Sequence, residues 1–226
     1  MAVSDVNRYI ITLTGIVQGV GFRPFVYRIA SRLQLSGWVE NRGSRVIVDV
    51  EGKEDSIKEF IYILLNENPS NAAIADLHIE SQQVYGYTDF SIKTSDTEEN
   101  TATFLPTDIA VCESCIKEFN TLGNNRFQYP FISCTNCGPR YSIINSLPYD
   151  RETTSMSEFK MCPQCISEYR TPSNRRFHAQ TNCCADCGPV FKLLDAHGNT
   201  VDSSECVKLA RQLICQGKIL AVKGIG

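Results

Sequence analysis

Nine of the 11 cysteines in this 226-residue chain fall between Cys112 and Cys187, and none precedes residue 112. Eight of the nine form four Cys-x2-Cys pairs. Cys112 and Cys115 are followed after 18 residues by Cys134 and Cys137, and Cys162 and Cys165 after 18 residues by Cys184 and Cys187. Each pair places two sulfurs on one tight turn, and two turns complete a tetrahedral four-thiolate site, the closed coordination of a structural Zn²⁺. Such density in a small secreted protein would mean disulfides. Here Met1 to Arg8 lacks the basic and then apolar order of a signal peptide, so metal ligation is the better reading. Two structural zinc ions are expected, one per set of four. Sharing of pairs across the sets and an iron–sulfur cluster are the alternatives; the repeated spacing favours local zinc sites. A closed site offers no open position for catalysis, and its contribution is folding energy. Cys183 stands outside the pattern and reads as a bystander, while Cys206 and Cys215 read as small buried hydrophobes.

A second group of residues could handle an anion. Gly15-Ile-Val-Gln-Gly-Val-Gly-Phe-Arg23 joins a strand-like run to a helix-like one. Glycines there let several backbone N–H groups converge on one point, at a helix N-terminus whose partial positive charge favours an anion. Arg23, in the first helical turn, can grip two oxygens of a phosphate or carboxylate. A plain glycine turn with a solvent-facing arginine fits the pattern equally. Asn41 ends the next strand and could position a water beside a phosphoryl group, or simply form a turn before Gly43.

The elements that must position these residues follow from periodicity. Arg8 to Ile16 alternates and is β-branched, a strand. Phe22, Phe25, Val26, Ile29, Ala30 and Leu33 recur at helical spacing. Trp38 to Asn41 and Val46 to Val50 read as strands around a turn at Asn41 to Ser44, and Ile57, Phe60, Ile61, Leu64 and Leu65 as a second helix. Last strands are expected near Leu77 to Val84 and Phe90 to Lys93, or as one interrupted strand. The order is βαββαβ, a ferredoxin-like α+β unit with two helices on one face of an antiparallel sheet. A polar linker, Thr94 to Asn100, follows. Shifting the next part by fifty residues lays Cys112, Cys115, Glu118, Arg126, Phe127, Cys134, Cys137, Gly138 and Pro139 on Cys162, Cys165, Glu168, Arg176, Phe177, Cys184, Cys187, Gly188 and Pro189, a duplicated unit poor in apolar runs. Arg175, Arg176 and Phe177 could touch a phosphate or nucleotide, but packing and salt bridges around the zinc loops are the plainer reading. His178 is not needed as a ligand. Val207, Ala210, Leu213 and Ile214 suggest a helix and Lys218 to Val222 a buried strand. With only Lys223 to Gly226 after them these cannot close a core, so the chain is expected to be a piece of something longer. A formal net charge of −3 argues against electrostatic binding of nucleic acid, and no apolar run is long enough to span a bilayer. The expected compartment is the cytoplasm.

The run Gly15-x-Val17-Gln18-Gly19-Val20-Gly21-Phe22-Arg23, followed by Gly37-Trp38-Val39-x-Asn41, closely resembles the acylphosphatase signature over residues 8 to about 93. That resemblance implies that Arg23 binds the phosphate of an acyl phosphate. Gln18, Gly19, Val20, Gly21 and Phe22 would cradle it through backbone amides, and Asn41 would orient the attacking water. With the cysteine units, Cys137-Gly-Pro-Arg140-Tyr141, Leu147-Pro-Tyr-Asp150, Arg176-Phe-His-Ala-Gln180 and Gly217 to Gly226, nearly the whole chain is similar to the N-terminal part of the HypF family of hydrogenase maturation carbamoyltransferases. This implies an acylphosphatase-like domain at 8–94, a tandem four-cysteine zinc-finger-like domain at 106–192 and the start of a YrdC-like domain at 203–226. It further implies hydrolysis of carbamoyl phosphate to carbamate and phosphate. The longer protein would make carbamoyl-adenylate with ATP and Mg²⁺ and transfer the carbamoyl group to the C-terminal cysteine of HypE. A different class of function, a zinc-ribbon binding module with a catalytically inactive acylphosphatase-like adaptor, is the alternative.

Overall fold

The computed structural model describes residues 6–96, 105–201 and 205–223. Strand β1 (Val6–Ile16) buries Ile11 and Leu13 on one face, as its alternation requires. It is followed by α1 (Phe22–Arg32), β2 (Ser36–Arg42), β3 (Arg45–Lys53), α2 (Glu54–Asn66), β4 (Ala73–Gln82) and β5 (Phe90–Ile92). Val46, Val48 and Val50 of β3 and Val39 of β2 meet Val26, Ile29 and Ala30 of α1 and Ile57, Phe60 and Leu64 of α2 in one core. Both helices therefore cover one face of the sheet, as expected.

The sheet order is β4-β1-β3-β2-β5, with β5 parallel to β2 and every other pair antiparallel. The sheet is thus mixed, and the two last strands lie on opposite edges rather than forming one interrupted strand. The connecting chain crosses the face away from the helices, where alternation points Asp49 and Glu51 of β3. Glu51 accepts from the amides of Tyr85 and Gly86, and Asp49 accepts from the Tyr87 hydroxyl at 2.9 Å and from Arg8. Polar residues on a β-branched strand direct this crossing, a signal that periodicity does not carry. The linker also begins later than expected: Asp96 still donates its amide to Asn41 O at 2.9 Å, while residues 97–100 lie outside the described residues.

The cysteine-rich unit holds two short helices, α3 (Glu113–Phe119) and α4 (Pro163–Arg170), each starting just after the first cysteine of a repeat. Its apolar cluster is small: around Tyr129, Ile132, Ile143 and Met156 it includes six cysteines, four buried and two partly buried. A hairpin of β6 (Leu193–Leu194) and β7 (Thr200–Val201) and helix α5 (Cys206–Cys215) follow. The expected helix is present, but two expectations fail here. Lys218 to Val222 is not a buried strand: Ile219 is 99% exposed, and among the described residues it has no strand to pair with. Cys206 is half-buried and Cys215 exposed, because α5 buries none of its residues. Of the expected domain at 203–226, residues 203–204 and 224–226 lie outside the described residues.

Candidate functional site

The turn between β1 and α1 is built on glycines with positive φ, +70° at Gly19 and +77° at Gly21, the latter serving as the helix N-cap. The helix has no side-chain cap and no acidic residue in its first turn. Among the described residues, the amides of Gln18, Gly19, Val20 and Gly21 have no acceptor. The amide of Phe22 opens the helix, where N–H groups lack intrahelical partners. This run of successive donors thus has no protein anion to satisfy it among the described residues. The Gln18 side chain is turned away as a clip, donating to Gly43 O at 3.0 Å and Arg45 O at 3.2 Å and accepting from the Tyr149 amide.

Arg23 and Asn41 meet beside this turn, both buried. The Asn41 carboxamide, oriented with its oxygen toward Arg23, accepts from Nε at 3.3 Å and Nη2 at 3.2 Å. Arg23 also donates to Ser95 Oγ at 2.9 Å, to Tyr149 O at 3.1 Å and to Asp150 Oδ1 at 2.6 Å. The arginine is therefore not solvent-facing, and the segment between the cysteine repeats supplies two of its partners.

That segment and the second repeat roof the turn. The resulting cavity has about 30 Å³ of free space, walled by the glycine turn, Arg23 and Asn41 on one side and by Arg140, Tyr149, His178 and Ala179 on the other. Arg140 is buried and donates only to carbonyls: Gly19 O, Thr135 O at 2.8 Å, Cys137 O at 3.1 Å and Pro139 O at 2.8 Å. Among the described residues it forms no ion pair, so its charge adds to the positive field of the turn. The Asp108 carboxylate accepts the Arg140 amide at 2.6 Å and is held below its usual pKa, despite burial, by this bond and in part by the Arg140 charge, so a bound anion adds to a charge that is only partly balanced. His178 lies in the same wall, and burial first, then the Arg23 charge, lowers its pKa to about 4. Its imidazole is neutral at pH 7.

The eight paired cysteines form two clusters, Cys112, Cys115, Cys134 and Cys137, and Cys162, Cys165, Cys184 and Cys187, with the sulfurs of each within 4.8 Å of one another. Neighbouring sulfurs lie 3.6 to 3.8 Å apart. Zn–S bonds of about 2.3 Å at tetrahedral angles give sulfur edges of about 3.8 Å, whereas a disulfide needs about 2.05 Å. The geometry fits one metal ion per repeat, paired locally. Each site receives a guanidinium from the other repeat: Arg175 Nη2 reaches Cys112 and Cys115 Sγ at 3.3 and 2.9 Å, and Arg126 Nη2 reaches Cys165 Sγ at 3.4 Å. The exchange is reciprocal. Arg126 pairs with Glu168 and Arg176 with Glu118, each at 2.5 Å, while Arg126 Nε donates to Cys183 O and Arg176 Nε to Ser133 O. Arg175 and Arg176 thus have the packing and salt-bridge roles expected of them, and Cys183 is a buried non-ligand at the position of Ser133.

Arg140, Tyr149, Asp150 and Ala179 were not recognisable from spacing, because they lie more than a hundred residues from the glycine turn they cover.

The acylphosphatase family matches residues 9–92, and the HypF finger family matches residues 111–144 and 161–194. A probable carbamoyltransferase HypF of Methanocaldococcus jannaschii is 49% identical over 96% of this chain, which spans 28% of that protein's length. An acylphosphatase of Methanospirillum hungatei is 34% identical over 38% of this chain and 97% of its own. The crystal structure of full-length HypF in the phosphate- and nucleotide-bound form matches 98% of this chain and 29% of its own, with a TM-score of 0.91 at 41% identity.

Proposed function

This chain belongs to the HypF family, and from that premise we propose that its sheet domain hydrolyses carbamoyl phosphate to carbamate and phosphate. The observation that carries the reading is a glycine turn with unpartnered amides from Gln18 to Gly21, which lines one cavity together with Arg23, Asn41 and Arg140. The amides and Arg23 hold the phosphoryl oxygens, and Asn41 aims a water at phosphorus. The water oxygen bonds to phosphorus, the bond from phosphorus to the acyl oxygen breaks, and the acyl group leaves as a carboxylate. Both water protons stay on the phosphate. Because the leaving group is a good one, positioning and charge stabilisation suffice without a covalent intermediate.

The two four-cysteine sets hold structural Zn²⁺, and the residues fit it. The chain spans about 28% of the curated carbamoyltransferases it matches. The later steps of the longer proteins, carbamoyl-adenylate formation with ATP and Mg²⁺ and transfer to the HypE cysteine, are proposed for those proteins as wholes. Residues 203–226 are proposed as the start of the YrdC-like domain. No described helix is long and apolar enough to cross a membrane, and the cytoplasm is the proposed compartment.

One observation favours the second reading, an inactive adaptor: Asp150 already occupies Arg23 Nη2 at 2.6 Å. Phosphate release from carbamoyl phosphate separates the two. The hydrolase reading expects release well above background from the parent chain and a loss of about 10²-fold in Arg23→Ala, the scale of removing one oxyanion donor. Release no faster than background establishes the adaptor.

A further inference from the structure

We propose that the cysteine-rich unit recognises the acyl end of the substrate, with the Tyr149 hydroxyl and the His178 imidazole as its hydrogen-bonding contacts and small, amide-like acyl groups as its ligands. The inference rests on the hydrolase reading and assigns the side of the cavity that the phosphate machinery leaves unused.

Tyr149 is 4% exposed, and its hydroxyl is buried with no hydrogen-bond partner among the described residues. An orphaned buried hydroxyl is costly, and native proteins rarely leave one without a use. Tyr149 is one of the residues that line the cavity, with the Arg140 guanidinium 5.8 Å from its ring centre. Its backbone is fixed at both ends, the amide by Gln18 Oε1 and the carbonyl by Arg23. The residue is therefore anchored through its backbone, while its hydroxyl has a proton to donate and no acceptor among the described residues.

His178 is held by ring contacts alone, with Tyr169 at 4.9 Å and edge-on with Phe177 at 4.6 Å. Among the described residues its ring nitrogens make no hydrogen bond. The duplication isolates what is particular about this position. Gln128, its counterpart in the first repeat, has φ +54° against +53° at His178, and both amides bond the carbonyl fifty residues apart in register, Phe119 O and Tyr169 O. The left-handed turn belongs to the repeat, not to the site. The side chains differ: Gln128, Tyr129 and Pro130 in one copy, His178, Ala179 and Gln180 in the other, and these last three line the cavity. Alanine in place of tyrosine leaves room, and histidine supplies one donor and one acceptor. A carbamoyl group offers an N–H and a carbonyl to match, whereas an acetyl methyl offers nothing to the ring.

The test measures phosphate release from carbamoyl and acetyl phosphate by the parent chain and by Tyr149→Phe, His178→Phe and His178→Gln. Zinc content and Trp38 fluorescence serve as controls for folding, and inorganic phosphate binding is followed in parallel. Tyr149→Phe is expected to lower kcat/KM about tenfold for both carbamoyl and acetyl phosphate, the scale of one hydrogen bond, without weakening inorganic phosphate. His178→Phe is expected to lower it about tenfold for carbamoyl phosphate alone. His178→Gln, which the turn tolerates in the first repeat, restores part of that preference and stands in should the phenylalanine variant misfold. An active parent with a carbamoyl-to-acetyl ratio and rates unchanged in all variants overturns the acyl wall alone. A parent inactive on both overturns the hydrolase reading and this inference with it.

Discussion

Asp150 and His178 show how single side chains from a distant part of the chain condition the cavity. The Asp150 carboxylate holds Arg23 in plane, yet it is also a negative charge beside a site for anions. At a separation of about 5 Å and an effective dielectric of about 20, such repulsion is on the order of 3 kcal/mol before screening. Asp150→Asn is therefore expected to tighten inorganic phosphate several-fold in titration calorimetry; weaker binding would make Asp150 a pure organiser of Arg23. His178 carries a stability signature. Its folded pKa of about 4 lies below the ordinary histidine value near 6.5, so the unfolded chain takes up a proton that the folded one refuses. Its contribution is fully present above about pH 6.5 and is lost as pH falls toward 4, on the order of 1 kcal/mol between pH 7 and 5.5. Urea denaturation at those two pH values is expected to show this loss in the parent and its disappearance in His178→Gln.

At the scale of the element, the β1–α1 turn depends on glycine twice over. Gly21 has φ +77°, and an added Cβ would lie 2.8 Å from Thr135 Cγ2; at Gly19, with φ +70°, it would lie 2.7 Å from Pro106 Cγ. Backbone strain and a cross-unit clash combine, so Gly21→Ala is expected to cost about 1–3 kcal/mol and to weaken inorganic phosphate, as read by thermal melts and calorimetry. An unaffected melt would mean that the roof yields there. The first of these requirements was legible, since a glycine-rich turn entering a helix is a local pattern. The second was not, because Thr135 and Pro106 reach the turn through tertiary packing. The same division holds for the strands. β1, β2, β3 and both helices follow from side-chain period, but the placement of β5 depends on Asp49 and Glu51 anchoring the chain that crosses the sheet. The strand expected at Lys218 to Val222 is not formed, because apolar composition alone does not make a strand where, among the described residues, no neighbour lies beside it to pair with.

The molecule as a whole has two kinds of core. The sheet domain has a continuous apolar one, whereas the cysteine-rich unit depends on sulfur clusters and crossed ion pairs. Chelation of the metal is expected to unfold the second and spare the first. Far-UV ellipticity should fall while the fluorescence of Trp38 in β2 is kept; a joint loss of both signals would show the sheet domain dependent on its roof. Arg126→Ala is expected to destabilise the cysteine-rich unit by about 3–5 kcal/mol, since Glu168 is left half-buried and unpaired, and removing Glu168 as well should recover part of it. The crossed pairs have one more consequence. A lone copy of the repeat would carry on one surface a guanidinium and a carboxylate that find each other only across a two-fold axis, the signature of a self-complementary dimer. Tethering both copies on a single polypeptide makes that association independent of concentration. It also releases the halves from identity, so that one face can stay an outer surface while its twin is shaped to fit a guest.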